Sequence, residues 1–193
     1  MPILRITAQW QGFRGAPGYS NFFFAGQAAD QEQPAAHALA VRTFLAECAG
    51  YMPSSVNINI QPTASNIDET NGQVIGEVGF EAPGSVSGSG GTNYSAASGA
   101  VVNWNTTSFA NGRRVRGRTF LVPLSSSAYD SQGDLASAPL TGIRNAARDL
   151  VASPGPAPLV VWSRPRGGAG GTDHVVTSAS VPDLAAILRS RRD

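Results

Sequence analysis

The feature that most constrains the fold is a period of two in the apolar residues, which recurs in short runs along this 193-residue chain. In residues 3–10, ILRITAQW, the apolar Leu4, Ile6, Ala8 and Trp10 alternate with residues that are mostly polar. Successive side chains of a β-strand point to opposite faces, so this alternation predicts a strand with one buried face. Further strands are predicted in YSNFFFAG, SVNINIQP, QVIGEVGFEA, AVVNWN, RRVRGRTFLVP, PLVVWSRP and DHVVTSASV.

Two longer stretches favour α-helices. The first, QEQPAAHALAVRTFLAECAGYMP, has Pro34 near its first turn and ends before Gly50 and Pro53. The second runs from about Leu140 to Ala152. We assign the apolar side of the first helix to Leu39, Val41, Leu45 and Cys48. Together the patterns predict an α+β fold, mostly an antiparallel β-sandwich or barrel with two packed helices.

The order of predicted elements is the same in residues 1–82 and in residues 99–193. Each half has a strand, a loop, a strand, a polar connection, a helix, a Pro-rich turn and two more strands. Residues 83–98, which are rich in Gly and Ser, form an exposed loop or a linker between them. Residue identity between the halves is low, so an internal duplication and a chance recurrence of common wiring are both open. We therefore treat 1–193 as a single domain with two similar halves.

Charge is sparse and unevenly distributed. Charged residues make up 14% of the chain, whereas about 25% is usual. All 14 basic residues are arginine, because the chain has no lysine. Residues 1–98 hold three arginines against seven carboxylates, a net −4, and residues 99–193 hold eleven against six, a net +5. Opposite charges of this kind allow copies to dock head to tail, and neutralisation within one chain is the alternative.

Catalytic patterns are missing from the sequence. Asp173 and His174 are neighbours in a predicted strand and point to opposite faces, so they do not form an orienting pair for Ser178. His37 is expected on the surface of the first helix, and its distance of 137 positions from His174 excludes a two-His metal motif. The Gly-rich runs contain neither a phosphate-loop lysine nor a dinucleotide fingerprint, so no cofactor is indicated. We expect a protein that is not an enzyme.

The single cysteine and the apolar runs add further exclusions. Cys48 alone excludes an intrachain disulfide and a multi-cysteine zinc site, and its apolar surroundings predict a buried, inert thiol. No apolar run approaches the roughly 18 residues of a membrane span. The start, MPILRITAQW, lacks a signal-peptide pattern, so we expect synthesis without export and no membrane partner.

The densest charge lies in NGRRVRGRTFLVPL, residues 111–124. Arginines in a row repel one another unless they have a partner, which is nucleic acid, a carboxylate of the same chain or a carboxylate of a neighbouring protein. The pI of about 8.0 and the lack of aromatic residues between the arginines argue against nucleic acid. The candidates for an interface or an ion-pair network are Arg113, Arg114, Arg116 and Arg118, with a second basic patch at Arg189, Arg191 and Arg192.

The same stretch carries a resemblance. VVNWNTTSFANGRRVRGRTFLVPL is similar to a segment of small virion proteins of tailed bacteriophages, in which a strand ending in Trp leads through a loop to a Gly-Arg-x-x-Arg-Gly-Arg strand that ends near Pro. The closing VPDLAAILRSRRD resembles the basic C-terminus of that family. The matching residues are Trp104, Gly112, Arg113, Arg116, Gly117, Arg118, Thr119, Phe120 and Pro123.

The resemblance implies a structural component of the virion that is made in the bacterial host cytoplasm and assembles in many copies. Its partners would be copies of itself and other virion proteins, either the major capsid protein or tail proteins. A decoration or cement protein on the capsid and a ring component of the tail or neck are both compatible with it. The alternatives are a nucleic-acid-contacting module and a lectin-like module with Trp10, Trp104 and Trp162 as sugar platforms.

Overall fold

The computed structural model describes residues 3–11, 18–25, 27–68, 71–91, 99–104, 120–130, 136–152, 159–163 and 172–176 of the chain. Within these ranges it has ten β-strands and two α-helices, and the paired strands are antiparallel. The predicted α+β class with mainly antiparallel strands is therefore confirmed.

Six strands form the first sheet, in the order β5-β4-β1-β3-β6 with β2 paired to β1. They are β1 (Ile3–Gln11), β2 (Gly18–Ala25), β3 (Asn57–Ile60), β4 (Thr63–Ile67), β5 (Val74–Gly79) and β6 (Val86–Ser87).

β1 is the centre of this sheet. One edge of β1 pairs with β2, from Ile3 opposite Ala25 to Trp10 opposite Gly18. The other edge pairs with β4 near its start and with β3 near its end. β3 and β4 thus act as one bent strand that is interrupted at Gln61 and Pro62. The Gln61 N–H still donates to the Thr7 carbonyl at 2.8 Å, whereas Pro62 has no N–H and interrupts the ladder.

The sequence does not predict β4. Its residues Thr63–Ile67 lack the alternation of a half-buried strand, because all of them except Thr63 are buried. A strand that lies between two others and is covered on both faces loses the period-two signal. Only the tertiary pairing with β1 and β5 reveals this strand.

A second, four-stranded sheet has the order β10-β9-β7-β8. Its strands are β7 (Gly99–Trp104), β8 (Phe120–Pro123), β9 (Leu159–Ser163) and β10 (Thr172–Val176). β7 lies between β8 and β9, just as β1 lies between β2 and the bent strand β3–β4. β10 then flanks β9 as β5 flanks β4. The two sheets therefore share one strand order, with a helix between the second and third strands in each.

The helices are α1 (Glu32–Cys48) and α2 (Ser137–Ala152). They pack against each other, while α1 also contacts β1 and β6, and α2 contacts β9 and β10. The buried side of α1 consists of Pro34, His37, Ala38, Val41, Phe44, Leu45 and Cys48. These positions follow the three- and four-residue spacing of one helix face.

Two predictions for α1 are wrong. His37 is buried, not on the surface, and Leu39 is 55% exposed, not part of the apolar side. Residues two positions apart are rotated by about 200° around a helix, so Leu39 and Val41 cannot share a face. The face that contains Val41 includes His37, which lies four residues earlier.

One hydrophobic cluster contains residues from both halves of the chain. Phe22, Phe44 and Leu45 belong to it together with Ile143 and Leu150 of α2. The Phe22 and Phe44 rings meet edge to face with centroids 6.3 Å apart. The interior between the helices and the first sheet is therefore built by both halves.

The first part of the Gly- and Ser-rich stretch is held in place by backbone hydrogen bonds. The N–H groups of Gly88, Ser89 and Gly90 donate to carbonyls of Val56, Ala49 and Met52 at 2.7–2.9 Å. Residues 83–91 therefore do not act as a free linker, and residues 92–98 lie outside the described part of the chain. Within that part, no helix is long and apolar enough to cross a membrane.

Candidate assembly surface

The arginines predicted from the sequence lie outside the described residues. Arg113, Arg114, Arg116 and Arg118 belong to residues 105–119, which connect β7 to β8, and Arg189, Arg191 and Arg192 follow β10. Their assignment to an ion-pair network or an interface stays a prediction. The flanking strands β7 and β8 are hydrogen-bonded neighbours, so the two ends of the arginine-containing connection lie next to each other.

The three tryptophans considered as sugar platforms lie in strands of the two sheets. Trp10 is half-buried and packs against the core, and its ring occupies the space in which Gly18 would carry a side chain. Backbone pairing places Trp104 opposite Leu159 and Trp162 opposite Val101 in the second sheet. The packing of Trp10 favours a structural role for that residue.

The outward face of the first sheet carries a continuous set of neutral hydrogen-bonding side chains. The period of two that buries Leu4, Ile6 and Ala8 turns the alternate residues of β1 to this face. Register then brings polar residues of the neighbouring strands beside them. We call this surface the amide face and define it as Arg5, Thr7, Gln9, Tyr19, Asn21, Asn57, Asn59 and Gln61. Ser65 on β4 lies beside Arg5 but is buried.

Side-chain hydrogen bonds link the amide face across its strands. Gln61 Nε2 donates to Gln9 Oε1 at 3.0 Å, and Gln9 Nε2 donates to the Tyr19 hydroxyl at 3.4 Å. These two bonds link the connection between β3 and β4 to β1 and then to β2. Thr7 Oγ1 donates to Asn21 Oδ1 at 2.9 Å in a second cross-strand pair. These bonds hold the side chains in place before any partner binds, which lowers the entropy that binding would cost.

The two ends of the amide face are ordered as well. At one end the Arg5 guanidinium Nη2 donates to Ser65 Oγ at 2.7 Å. At the other end Asn59 Nδ2 donates to Asn57 Oδ1 at 3.1 Å, and Asn57 Nδ2 donates to Ser87 Oγ on β6 at 3.0 Å. Arg5 is the one charged residue of the face as defined. The surface can exchange many hydrogen bonds without the cost of removing many charges from water.

The edge strand β5 presents apolar side chains to solvent. Val74 is 47% exposed and Ile75 is 52% exposed, although adjacent residues of a regular strand would point to opposite faces. The register between β4 and β5 shifts between Asn66 and Ile67, which leaves Ile75 as the extra residue of a β-bulge. Exposed edge strands pair readily with other chains unless charges or prolines protect them, and β5 contains only Glu77 as a charge.

A groove lies between the two helices. Its volume is about 340 Å³, and α1 and α2 both line it. The lining is mainly apolar, and it includes the exposed side chains of Leu39 and Glu47. The lining residues are Ala36, Leu39, Ala40, Thr43, Phe44, Glu47, Ala146 and Leu150.

Two buried titratable groups belong to the core and not to this surface. The His37 ring stacks on Phe24 with centroids 4.0 Å apart, and burial lowers the pKa of His37. Burial, with a smaller effect of the Glu47 carboxylate, raises the pKa of the Cys48 thiol far above its ordinary value. Cys48 is fully buried, as the sequence predicts. Neither side chain is accessible for proton transfer or nucleophilic attack on a substrate.

Comparison with known proteins supplies no family for the chain: no family model, no curated protein and no solved structure matches it.

Proposed function

We propose that this chain is a structural component of a tailed-bacteriophage virion and assembles in many copies through protein–protein contacts, without an enzymatic role. The amide face and its exposed β5 edge carry the proposal. They combine a pre-ordered, almost uncharged hydrogen-bonding surface with adjacent apolar side chains, which is the composition of a surface that binds protein. Residues 100–124 and the basic C-terminus resemble small virion proteins, and this resemblance is the reason for proposing a phage particle as the location.

The physical case rests on the cost of desolvation. Interfaces that form between folded subunits are depleted in Lys, Glu and Asp at their centres and enriched in Tyr and other aromatic residues. The amide face has Tyr19, which is 61% exposed, beside Asn and Gln side chains. Amides and hydroxyls that already bond to one another lose little when a partner replaces water. A surface of this kind therefore suits repeated contacts between identical or related subunits.

We also propose that the two sheets form a sandwich or barrel around the shared core and that the halves arose by internal duplication. Support comes from the common strand order of the sheets, from the proximity of β2 to β8 and from the cluster that joins residues of both halves. In such an arrangement one chain offers two similar modules. A ring of copies would then contain twice as many similar modules as chains, so its pseudo-symmetry would be higher than the number of chains suggests.

Two positions in the particle fit these features, a decoration or cement protein on the capsid and a ring component of the tail or neck. In either position we expect the arginines at 113–118 to pair with carboxylates of the same chain or of a neighbour. The partners would be copies of this chain and the major capsid or tail proteins. A nucleic-acid-contacting or lectin-like module is the alternative.

Immunolabelling of particles tests the function directly. Antibodies raised against the full-length chain would be applied to purified phage particles of the source and imaged by negative-stain microscopy, with antibody pre-absorbed on the pure chain as the control. Label spread over the head would indicate decoration, and label at one point of the tail would indicate a ring. Particles that carry no label, and that contain none of the chain by mass spectrometry, would contradict the virion role.

A further inference from the structure

The groove between α1 and α2 lies under an exposed stripe of α1. Glu32, Ala36, Leu39, Thr43 and Glu47 are all exposed, and their spacing of three and four residues places them along one side of the helix. The stripe is apolar in the middle, at Ala36 and Leu39, and acidic at both ends. Leu39, in the middle of this stripe, is more than half exposed and lines the mainly apolar cavity.

The chain itself contains a segment with the complementary pattern. In residues 182–193, Leu184, Ile187 and Leu188 have the spacing of one helix face. Pro182 precedes them at a position suited to a first helical turn. Arg191 and Arg192 continue this face at the other end, so one end of it is apolar and the other is cationic, and Arg189 lies to one side of it.

The fold brings this segment within reach of the groove. β10 contacts α2, which supplies one wall of the groove, and residues 177–193 follow β10. Eight positions separate Val176 from Leu184, enough to span about 26–29 Å when extended. A helix is about 10–12 Å across, so the connection is long enough to pass over α2.

We propose that residues 182–193 form a short amphipathic helix that docks in the α1–α2 groove of the same chain. Leu184, Ile187 and Leu188 would cover Leu39 and the cavity beside it. The arginines would lie near Glu47, so that a cationic part of the second half meets an acidic part of the first half. Docking within one chain is favoured over docking of a second copy because the connection holds the segment at an effective concentration in the millimolar range.

Chemical cross-linking of the full-length protein tests the contact. Cysteines would be placed at two positions that should meet, Leu39→Cys and Ile187→Cys, and a short bismaleimide would be added. Native Cys48 does not interfere, because it is fully buried and its thiol is not ionised. The matched control combines Ile187→Cys with Gln61→Cys on the amide face. Melting curves like that of the unmodified chain would show that the variants fold.

The expected product is a monomer with one intramolecular cross-link, formed at a rate independent of protein concentration, and no such product in the control pair. A cross-link between two chains whose yield grows with concentration would overturn the proposal and assign the groove to a second copy. Absence of any cross-link would overturn it as well. These outcomes do not depend on the virion role, since the measurement uses the isolated chain.

Limited trypsin digestion gives a second readout, since trypsin cleaves after Arg189, Arg191 and Arg192. Leu39→Asn should speed cleavage at these sites about tenfold, because losing the cover of one half-buried leucine shifts docking by that order. Val74→Asn removes an equally exposed apolar side chain on β5 and should leave the rate unchanged. Equal rates in the unmodified chain and in Leu39→Asn would contradict docking.

Discussion

The Asn66 side chain binds both backbone groups of Ala28, accepting the Ala28 N–H at 3.1 Å and donating to the Ala28 carbonyl at 3.0 Å. Both residues are buried. Asn66 is the fourth of the five residues of β4, while Ala28 belongs to the connection between β2 and α1. One side chain therefore replaces a strand partner for an otherwise unpaired piece of backbone, and it fixes the path of the chain from the first sheet into α1.

Replacing this side chain should destabilise the fold strongly. Asn66→Ala leaves a buried N–H and a buried C=O without partners, and each such group costs about 1–3 kcal/mol. We expect a loss of roughly 2–5 kcal/mol in the free energy of unfolding, measured by urea denaturation. Asn59→Ala, on the exposed amide face, is the control and should change stability by less than about 0.5 kcal/mol. Equal losses in the two variants would show that Asn66 is not a structural clamp.

The packing of Tyr51, which follows α1, against α2 depends on a close approach at Gly142. The Tyr51 ring occupies the space in which residue 142 would carry a side chain, and the Tyr51 hydroxyl donates to the Ala138 carbonyl at 3.4 Å. Helix propensity alone would favour Gly142→Ala by about 1 kcal/mol. The overlap with the ring should outweigh this gain and give a net loss of roughly 1–2 kcal/mol.

Gly50→Ala is the matched control, since no atom of the described residues lies within 4 Å of the new methyl group there. It should be neutral or stabilise by about 0.4–1 kcal/mol. A double-mutant cycle with Tyr51→Ala isolates the contact, because Gly142→Ala should stabilise once the ring is gone. If Gly142→Ala destabilises equally in both backgrounds, the Tyr51 ring is not the cause.

The sequence predicts the strands that bury one face. It is less informative where tertiary contacts determine which residues form a strand or which side chains are buried. Alternation in β1 separates Leu4 and Ile6 from Arg5 and Thr7, and the structure confirms this division. Alternation cannot show β4, because β4 is buried on both faces. It also cannot show that His37 replaces Leu39 on the inner side of α1, since the stacking of His37 on Phe24 depends on the position of β2.

The candidate surface is likewise only partly visible in the sequence. The polar side of β1 predicts an outward face, but the bonds that join Gln61, Gln9 and Tyr19 depend on strand register. The bulge that exposes Ile75 beside Val74 depends on how β5 meets β4. The glycines of QVIGEVGFEA are compatible with a bulge or with a close approach of another chain segment, and the structure has a bulge one residue before Gly76. Composition makes the arginines prominent, and they lie outside the described residues.

Stability should depend on pH through His37. Burial lowers the pKa of His37 in the folded chain, whereas the unfolded side chain titrates near 6.5. The unfolded state therefore binds more protons below this pH, and the contribution of neutral His37 to stability is fully present above about pH 6.5 and is lost as the pH falls towards the lowered pKa. From pH 7.5 to 5.5 we expect a loss of up to about 1 kcal/mol.

The variant His37→Leu removes the titrating group, so the difference between its denaturation curves at the two pH values should be smaller than that of the unmodified chain. Among the described residues His37 Nδ1 has no hydrogen-bond partner, so the substitution deletes no bond that this atom makes with them. His174→Gln is the control for the other histidine and should leave the His37 contribution in place. An identical pH dependence in the unmodified chain and in His37→Leu would contradict this account.

The β5 edge should control self-association. Ile75→Asp places a charge on a residue that is half exposed in the single chain, so the stability of the monomer should change by no more than about 0.5 kcal/mol. In a pair of edges the same carboxylate would be buried without a partner, at a cost on the order of 3 kcal/mol, which weakens association by roughly a hundredfold. Gln33→Asp adds an equal charge to exposed α1 and should leave association unchanged. Sedimentation equilibrium of the three proteins measures the effect.

Salt then separates this edge contact from head-to-tail docking of the −4 and +5 halves. The Debye length falls from about 10 Å at 0.1 M to about 3 Å at 1 M, so exposed charge contacts weaken over that range. Apolar burial and backbone pairing at Val74 and Ile75 do not depend on such charges and should persist at 1 M salt. Association that disappears at 1 M salt and is insensitive to Ile75→Asp would assign self-assembly to the opposite charges of the halves and remove the β5 edge from the interface.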